Sequence, residues 1–115
     1  MASQEHLKSA VDTLSEEIKR YRNTDPNDGN TLVECLQQIT PILYYLETER
    51  ANFHKKFQSI IHEEVLKGQS VARAENLAHV EVPEMYLLRR IMDSAEGVRD
   101  SIRTQISWIK TGLNN

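Results

Sequence analysis

Residues 31–67 read TLVECLQQITPILYYLETERANFHKKFQSIIHEEVLK. Within them Leu32, Leu36, Ile39, Leu43, Leu46, Arg50, Phe53, Phe57 and Ile60 recur at alternating steps of four and three. That spacing keeps one face of a helix apolar and is the seam of a helix packed lengthwise on other helices. Thr31 and Glu34 have the spacing of a capping box, in which hydroxyl and carboxylate close free amides of the first turn. Pro41 removes one helical hydrogen bond and crowds the preceding turn, so it predicts a kink, or a fresh helix capped by Thr40. The seam keeps its phase from Ile39 to Leu43, which favours a kinked but continuous helix. Gly68 follows, and glycine can take the left-handed conformation that ends a helix.

A second seam runs through Leu88, Ile91, Ala95, Val98, Ile102, Gln105 and Ile109, widened by Met85, Met92, Ile106 and Leu113. Pro83 suits the first turn of that helix. Upstream, Leu7, Val11, Leu14, Ile18 and Tyr21 mark a first helix that Ser3 can cap, and the Asn-, Asp-, Pro- and Gly-rich residues 23–30 form a loop. Between the long helices Ser70 caps a short one with Ala72, Ala74, Leu77 and Ala78 as its small apolar face. The expectation is an all-α single domain over 1–115. Its frame is a long antiparallel helical hairpin (31–67 and 83–113), with an N-terminal helix (4–22) and a short connecting helix (71–79) laid on it.

Composition agrees. The 115 residues suit one domain, and 39% apolar with 27% charged residues fits long helices that each bury one stripe. A net charge of -3 argues against a dedicated duplex-DNA binder, which is usually basic. The single cysteine, Cys35, excludes an intrachain disulfide and fits a reducing, cytoplasmic compartment; it reads as a packed thiol. Residues 1–6 lack the pattern of a signal peptide, and no apolar run approaches the ~18 residues of a membrane span.

No motif for catalysis emerges. His62 has no second histidine four residues on, and His54 with His62 supplies two ligands where a divalent metal needs three or four. Glu81 and Glu84 have the spacing of a magnesium-binding helix motif, but Glu96 is followed by Arg99 at the offset where a second acid would be needed. No Gly-rich phosphate cradle or nucleophile elbow is present. We therefore expect no enzyme, no metal and no cofactor.

Binding is the better prospect. Arg50 and Gln105 interrupt apolar seams. Such residues set register or oligomer state in coiled coils, unless drift of the stripe carries them to solvent. Gly97 interrupts the last helix, either for close helix approach or because it lies on the outer face. Lys55 and Lys56, and Arg89, Arg90, Arg99 and Arg103 on the last helix, are candidate phosphate contacts, with Tyr44, Tyr45, Tyr21, Tyr86 and Trp108 as stacking surfaces. The competing reading pairs these cations with neighbouring acids and packs the aromatics.

Three segments and one tyrosine carry a resemblance: Ser70-Val71-Ala72-Arg73-Ala74-Glu75, then Tyr86, then Ala95-Glu96-Gly97-Val98-Arg99-Asp100-Ser101-Ile102-Arg103, ending in Trp108-Ile109-Lys110-Thr111. Over residues 44–111 the chain resembles, in pattern more than identity, small all-helical bacteriophage proteins of the UvsY recombination-mediator type. The resemblance implies a homo-oligomeric ring that binds single-stranded DNA and assists a recombinase in the host cytoplasm. The chain departs from that plan in its acidic balance and its added N-terminal helix and loop. Two rivals stand beside it: a protein-interaction module that inhibits or sequesters a host protein, and an oligomer that traps a small nucleotide between subunits.

Overall fold

The computed structural model describes the backbone of residues 2–114 and the side chains of residues 4–112. Four helices follow one another: α1 (Ala2–Arg22), α2 (Gly29–Leu66), α3 (Val71–Glu81) and α4 (Pro83–Asn114). Among the described residues there is no strand, and the all-α hairpin of the sequence reading is what forms. The first helix begins at Ala2, earlier than a Ser3 cap allows. The side chains of Ser3 and Leu113 lie outside the described residues.

The capping box expected at Thr31 and Glu34 does not form. Asp28 caps α2 instead: its carboxylate accepts from the Thr31 amide at 3.2 Å and from the Thr31 hydroxyl at 2.7 Å. An anion at the positive end of a helix is the stronger acceptor, and it draws Thr31 inside the first turn as a donor. Glu34 is thereby free to reach α1, where it pairs with Arg20.

Helix α2 is continuous through Pro41 for 38 residues. Pro41, Gln37 and Gln38 are all exposed, so the carbonyl that loses its partner faces water, which lowers the cost of an interior proline. One residue earlier the Thr40 hydroxyl donates back to the Leu36 carbonyl at 2.9 Å. The helix stops at Gly68, with φ at +98°. The Gly68 amide donates to the Val65 carbonyl and that of Gln69 to the Glu64 carbonyl, both at 3.0 Å. These are the two bonds of a Schellman turn, and they need a left-handed residue where glycine stands. Ser70 caps α3, accepting from the Arg73 amide at 3.2 Å. At the other end of α3 the Val82 amide still bonds to the Ala78 carbonyl at 2.8 Å, and Pro83 then opens α4.

Going from Gly29 to Arg50 to Phe57 along α2 corresponds to going from Ile109 to Arg89 to Val82 on the return arm. Helices α3 and α4 are thus one antiparallel arm, interrupted at Val82–Pro83. This refines the expected hairpin. The outer part of α2 has α3 as its neighbour, so Phe57 packs with Ala78 and Val82, beside Ile60, Ile61 and Met85. The inner part packs Leu32, Cys35, Ile39, Leu43 and Leu46 against Leu88, Met92, Ala95 and Ile102. Helix α1 lies antiparallel to α2 and closes this main core with Leu14. No polar or charged residue is buried among the described residues, and the molecule is a rod of 66 × 30 × 18 Å.

Gln105 leaves the apolar seam to donate a hydrogen bond to the Pro26 carbonyl at 2.8 Å, tying α4 to the loop between α1 and α2. Its partner is within the chain. Gly97 lies on the outer face, where an added Cβ would meet nothing within 4 Å.

Candidate interaction surfaces

The six candidate cations do not form one patch. Successive residues on a helix point about 100° apart, so Arg89 and Arg90 serve different grooves. Arg89 enters a cleft of about 270 Å³ between α2 and α4, with Glu47, Arg50, Asp93 and Glu96. Three carboxylates against two guanidinium groups make that cleft unfavourable for phosphate. Arg90 lies over the Tyr86 ring at 5.9 Å and lines a groove between α1 and α4. Arg99, half-buried, pairs with Asp100 at 3.4 Å. Lys55 and Lys56 stand exposed on the outer half of α2, level with the start of α4. At 1.5 Å per residue they are about 30 Å from Arg103.

Arg103, like Arg90, has an aromatic beside it. It lines a groove of about 430 Å³ with Thr104, Ser107, Trp108 and Thr111. Trp108 is 69% exposed, and its other flank borders a second groove of about 570 Å³ with Asn27, Gln105, Ile109 and Gly112. Of the other aromatics, Tyr21 and Tyr45 pack against the core, while Tyr44 and Tyr86 are exposed.

Between α1 and α2 a short charged chain forms: Arg20 bridges Glu34 and Glu17, the latter at 3.7 Å. Cys35 is fully buried next to this chain. Burial raises its thiol pKa first, and the neighbouring Glu17 carboxylate raises it further. This is a packed, protonated sulfur: burial and the Glu17 carboxylate outweigh the nearby Arg20, which alone would favour the thiolate. Among the described residues no three His, Cys, Asp or Glu side chains come together in a way that could hold a metal ion. Nor is any helix long and apolar enough to cross a membrane.

Sequence reasoning missed the apolar residues outside the seams. Val65, Leu66 and Val71 flank the turn that joins α2 to α3, with Leu66 74% and Val71 57% exposed. The signal was present: Val65 and Leu66 are apolar positions out of phase with the four-three repeat. Large apolar groups grouped at an exposed tip mark contact surfaces more often than chance.

The chain matches no known family model, and comparisons with curated proteins and with solved structures find no match.

Proposed function

We propose that this chain is a non-enzymatic helical interaction module that acts on another protein. The observation that carries this reading is the apolar tip, where Val65, Leu66 and Val71 surround a glycine turn held by two backbone bonds. A hairpin end with uncovered leucine and valine gains free energy when a partner covers it. The candidate cations argue against nucleic acid: Arg99 is paired to an acid, and Arg89 shares a cleft with three carboxylates. The phage resemblance and the cytoplasmic setting it implies belong to this reading, with a host protein as the partner class.

The test is cross-linked capture from a host lysate with wild type and a Leu66→Glu, Val71→Glu variant. A stoichiometric protein held by wild type and released by the variant, at unchanged unfolding midpoint, supports the reading. Equal retention by both, or none by either, defeats it.

Single-strand nucleic-acid binding as a recombination accessory is the second reading. Arg103 beside the exposed Trp108 favours it, since an arginine and an indole can hold a phosphate and a stacked base. A fluorescent single-stranded oligonucleotide that stays unbound at low salt would end it.

A further inference from the structure

The two ends of the rod are built differently. The main core joins α1, α2 and α4 and buries ten side chains, whereas the outer cluster joins α2 to the return arm and buries three: Phe57, Ala78 and Val82. Helix α1 packs on α2 and α4 and does not reach α3. What α3 sets against α2 is small. Its buried side chains are Ala74 and Ala78, with Leu77 half-buried. The exposed His79 ring adds one edge contact to Phe57, 4.9 Å between centroids. Among the described residues no side-chain hydrogen bond or ion pair joins α3 to α2 or α4; the Ser70 cap is internal.

The boundaries of α3 make it separable. The bonds of the Gly68 turn run from Gly68 and Gln69 back to Val65 and Glu64, all before Ser70, so α3 can leave without breaking them. At the other end Pro83 has no amide to donate back to the His79 carbonyl, so the helical ladder of α4 does not continue into α3. At 11 residues α3 is shorter than the ~12–15 at which an isolated helix becomes even marginal in water, so it depends on its packing. As a helix it spans about 16 Å and as a coil it reaches about 36 Å, so melting gives it the slack to come away while both ends stay in place.

We propose that α3 is a melting strap: it unfolds from α2 as a unit while the body of α1, α2 and α4 stays folded. Closed, the strap covers Phe57. Open, it uncovers Phe57 and Ile61, which stand in one row of α2 with the exposed Val65 at steps of four, and so lengthens the apolar surface of the tip. Helix α2 stays helical past Phe57 during the opening, because it propagates from the body and needs no new nucleus. The opening is a property of the free chain and holds whatever the tip binds.

Native-state hydrogen exchange on the full chain reads the opening residue by residue. Amides from Glu75 to Val82 should share one opening constant, about 100-fold or more larger than that of Ile39–Leu46 and Met92–Ile102. Low urea should accelerate them far less than the body, because their opening exposes little surface. Amides from Phe57 to Ile61 should open less often than the strap. Ala72→Gly, on the exposed side of α3, should raise strap opening about 5-fold and leave the body unchanged. Alkylation gives a second readout: in Ala78→Cys the strap thiol should react about 100-fold or more faster than Cys35, which is buried in the body of the same molecule. Strap and body amides with one common opening constant and urea dependence overturn the proposal. So does an Ala72→Gly effect shared equally by the body, or opening of Phe57–Ile61 together with the strap, which would mean that the whole outer arm unravels.

Discussion

Replacing Ile102 with alanine tests whether α2 and α4 share one core. Ile102 is fully buried and belongs to the main cluster with Ile39 and Leu43. The change removes three carbon groups, a loss of about 2.4 kcal/mol at ~0.8 kcal/mol each. A residual void of roughly 40 Å³ adds about 1 kcal/mol. The short dimension of the rod is 18 Å, so neighbours can move in from solvent-facing sides and the void stays small. We expect a loss of about 3 kcal/mol, a large share of the 5–15 kcal/mol that a domain has. Urea unfolding followed by far-ultraviolet circular dichroism measures it. Leu66→Ala is the control, because Leu66 is 74% exposed and its loss should cost under about 0.5 kcal/mol. The reasoning is refuted if Ile102→Ala costs less than about 1 kcal/mol, or if the two variants cost the same.

Gln105→Ala removes the bond to the Pro26 carbonyl and should cost about 1 kcal/mol. Amide exchange in residues 23–28 should quicken while the mass in solution stays that of wild type; a changed oligomer would restore the oligomer role for this residue. Cys35 should resist alkylation in the folded chain even at mildly alkaline pH, since burial and then Glu17 hold its thiol protonated, and should react at the rate of unfolding in urea; rapid labelling without denaturant would contradict that. The Asp28 cap gives a pH signature. Its hydrogen bonds from the Thr31 side chain, then from the Thr31 backbone, lower its folded pKa below the ordinary 3.8. The stabilisation is therefore present above 3.8 and is lost as pH falls through the folded value. Asp28→Ala should lower the melting temperature at neutral pH and differ little from wild type in strong acid; a constant difference at all pH values would mean the cap works by another route.

The helices were legible because the four-three spacing is local information: Leu32 to Ile60 names one face without knowing what covers it. What covers it is not local. The sequence reading set α4 against the whole of α2, yet α3 takes Phe57, because the helix interruption at Val82–Pro83 lets the return arm begin near Val71. The cap was misassigned for a related reason. Asp28 stands three residues before Thr31, its carboxylate is the stronger acceptor, and Glu34 is left to pair with Arg20, a residue 14 positions away. Gln105 was correctly singled out as a polar residue in an apolar seam, but its acceptor lies 79 residues away in a loop, which no periodicity predicts. The candidate cations suffered most, because a helical wheel gives their direction and says nothing of the acids on the facing helix, such as Glu47 opposite Arg89.

That scattering makes a quantitative prediction about nucleic acid. With 14 basic and 17 acidic residues, the chain as a whole repels phosphate weakly, and beyond about 8–10 Å salt screens that repulsion. Binding then depends on how many cations a single strand can reach together. Arg103 and, seven residues on, Lys110 share one side of α4; Lys55 and Lys56 are about 30 Å away, three or more screening lengths. One chain should therefore neutralise one or two phosphates. At about -0.7 per phosphate, the slope of log affinity against log salt should lie between roughly -0.7 and -1.4. Fluorescence anisotropy over a salt series measures it. A slope near -3 would need four or more phosphates held at once. Arg103 and Lys110 alone cannot supply that, so the result would mean that further cations, from elsewhere on the chain or from other copies, join them on one strand, and nucleic acid would displace a protein as the primary partner.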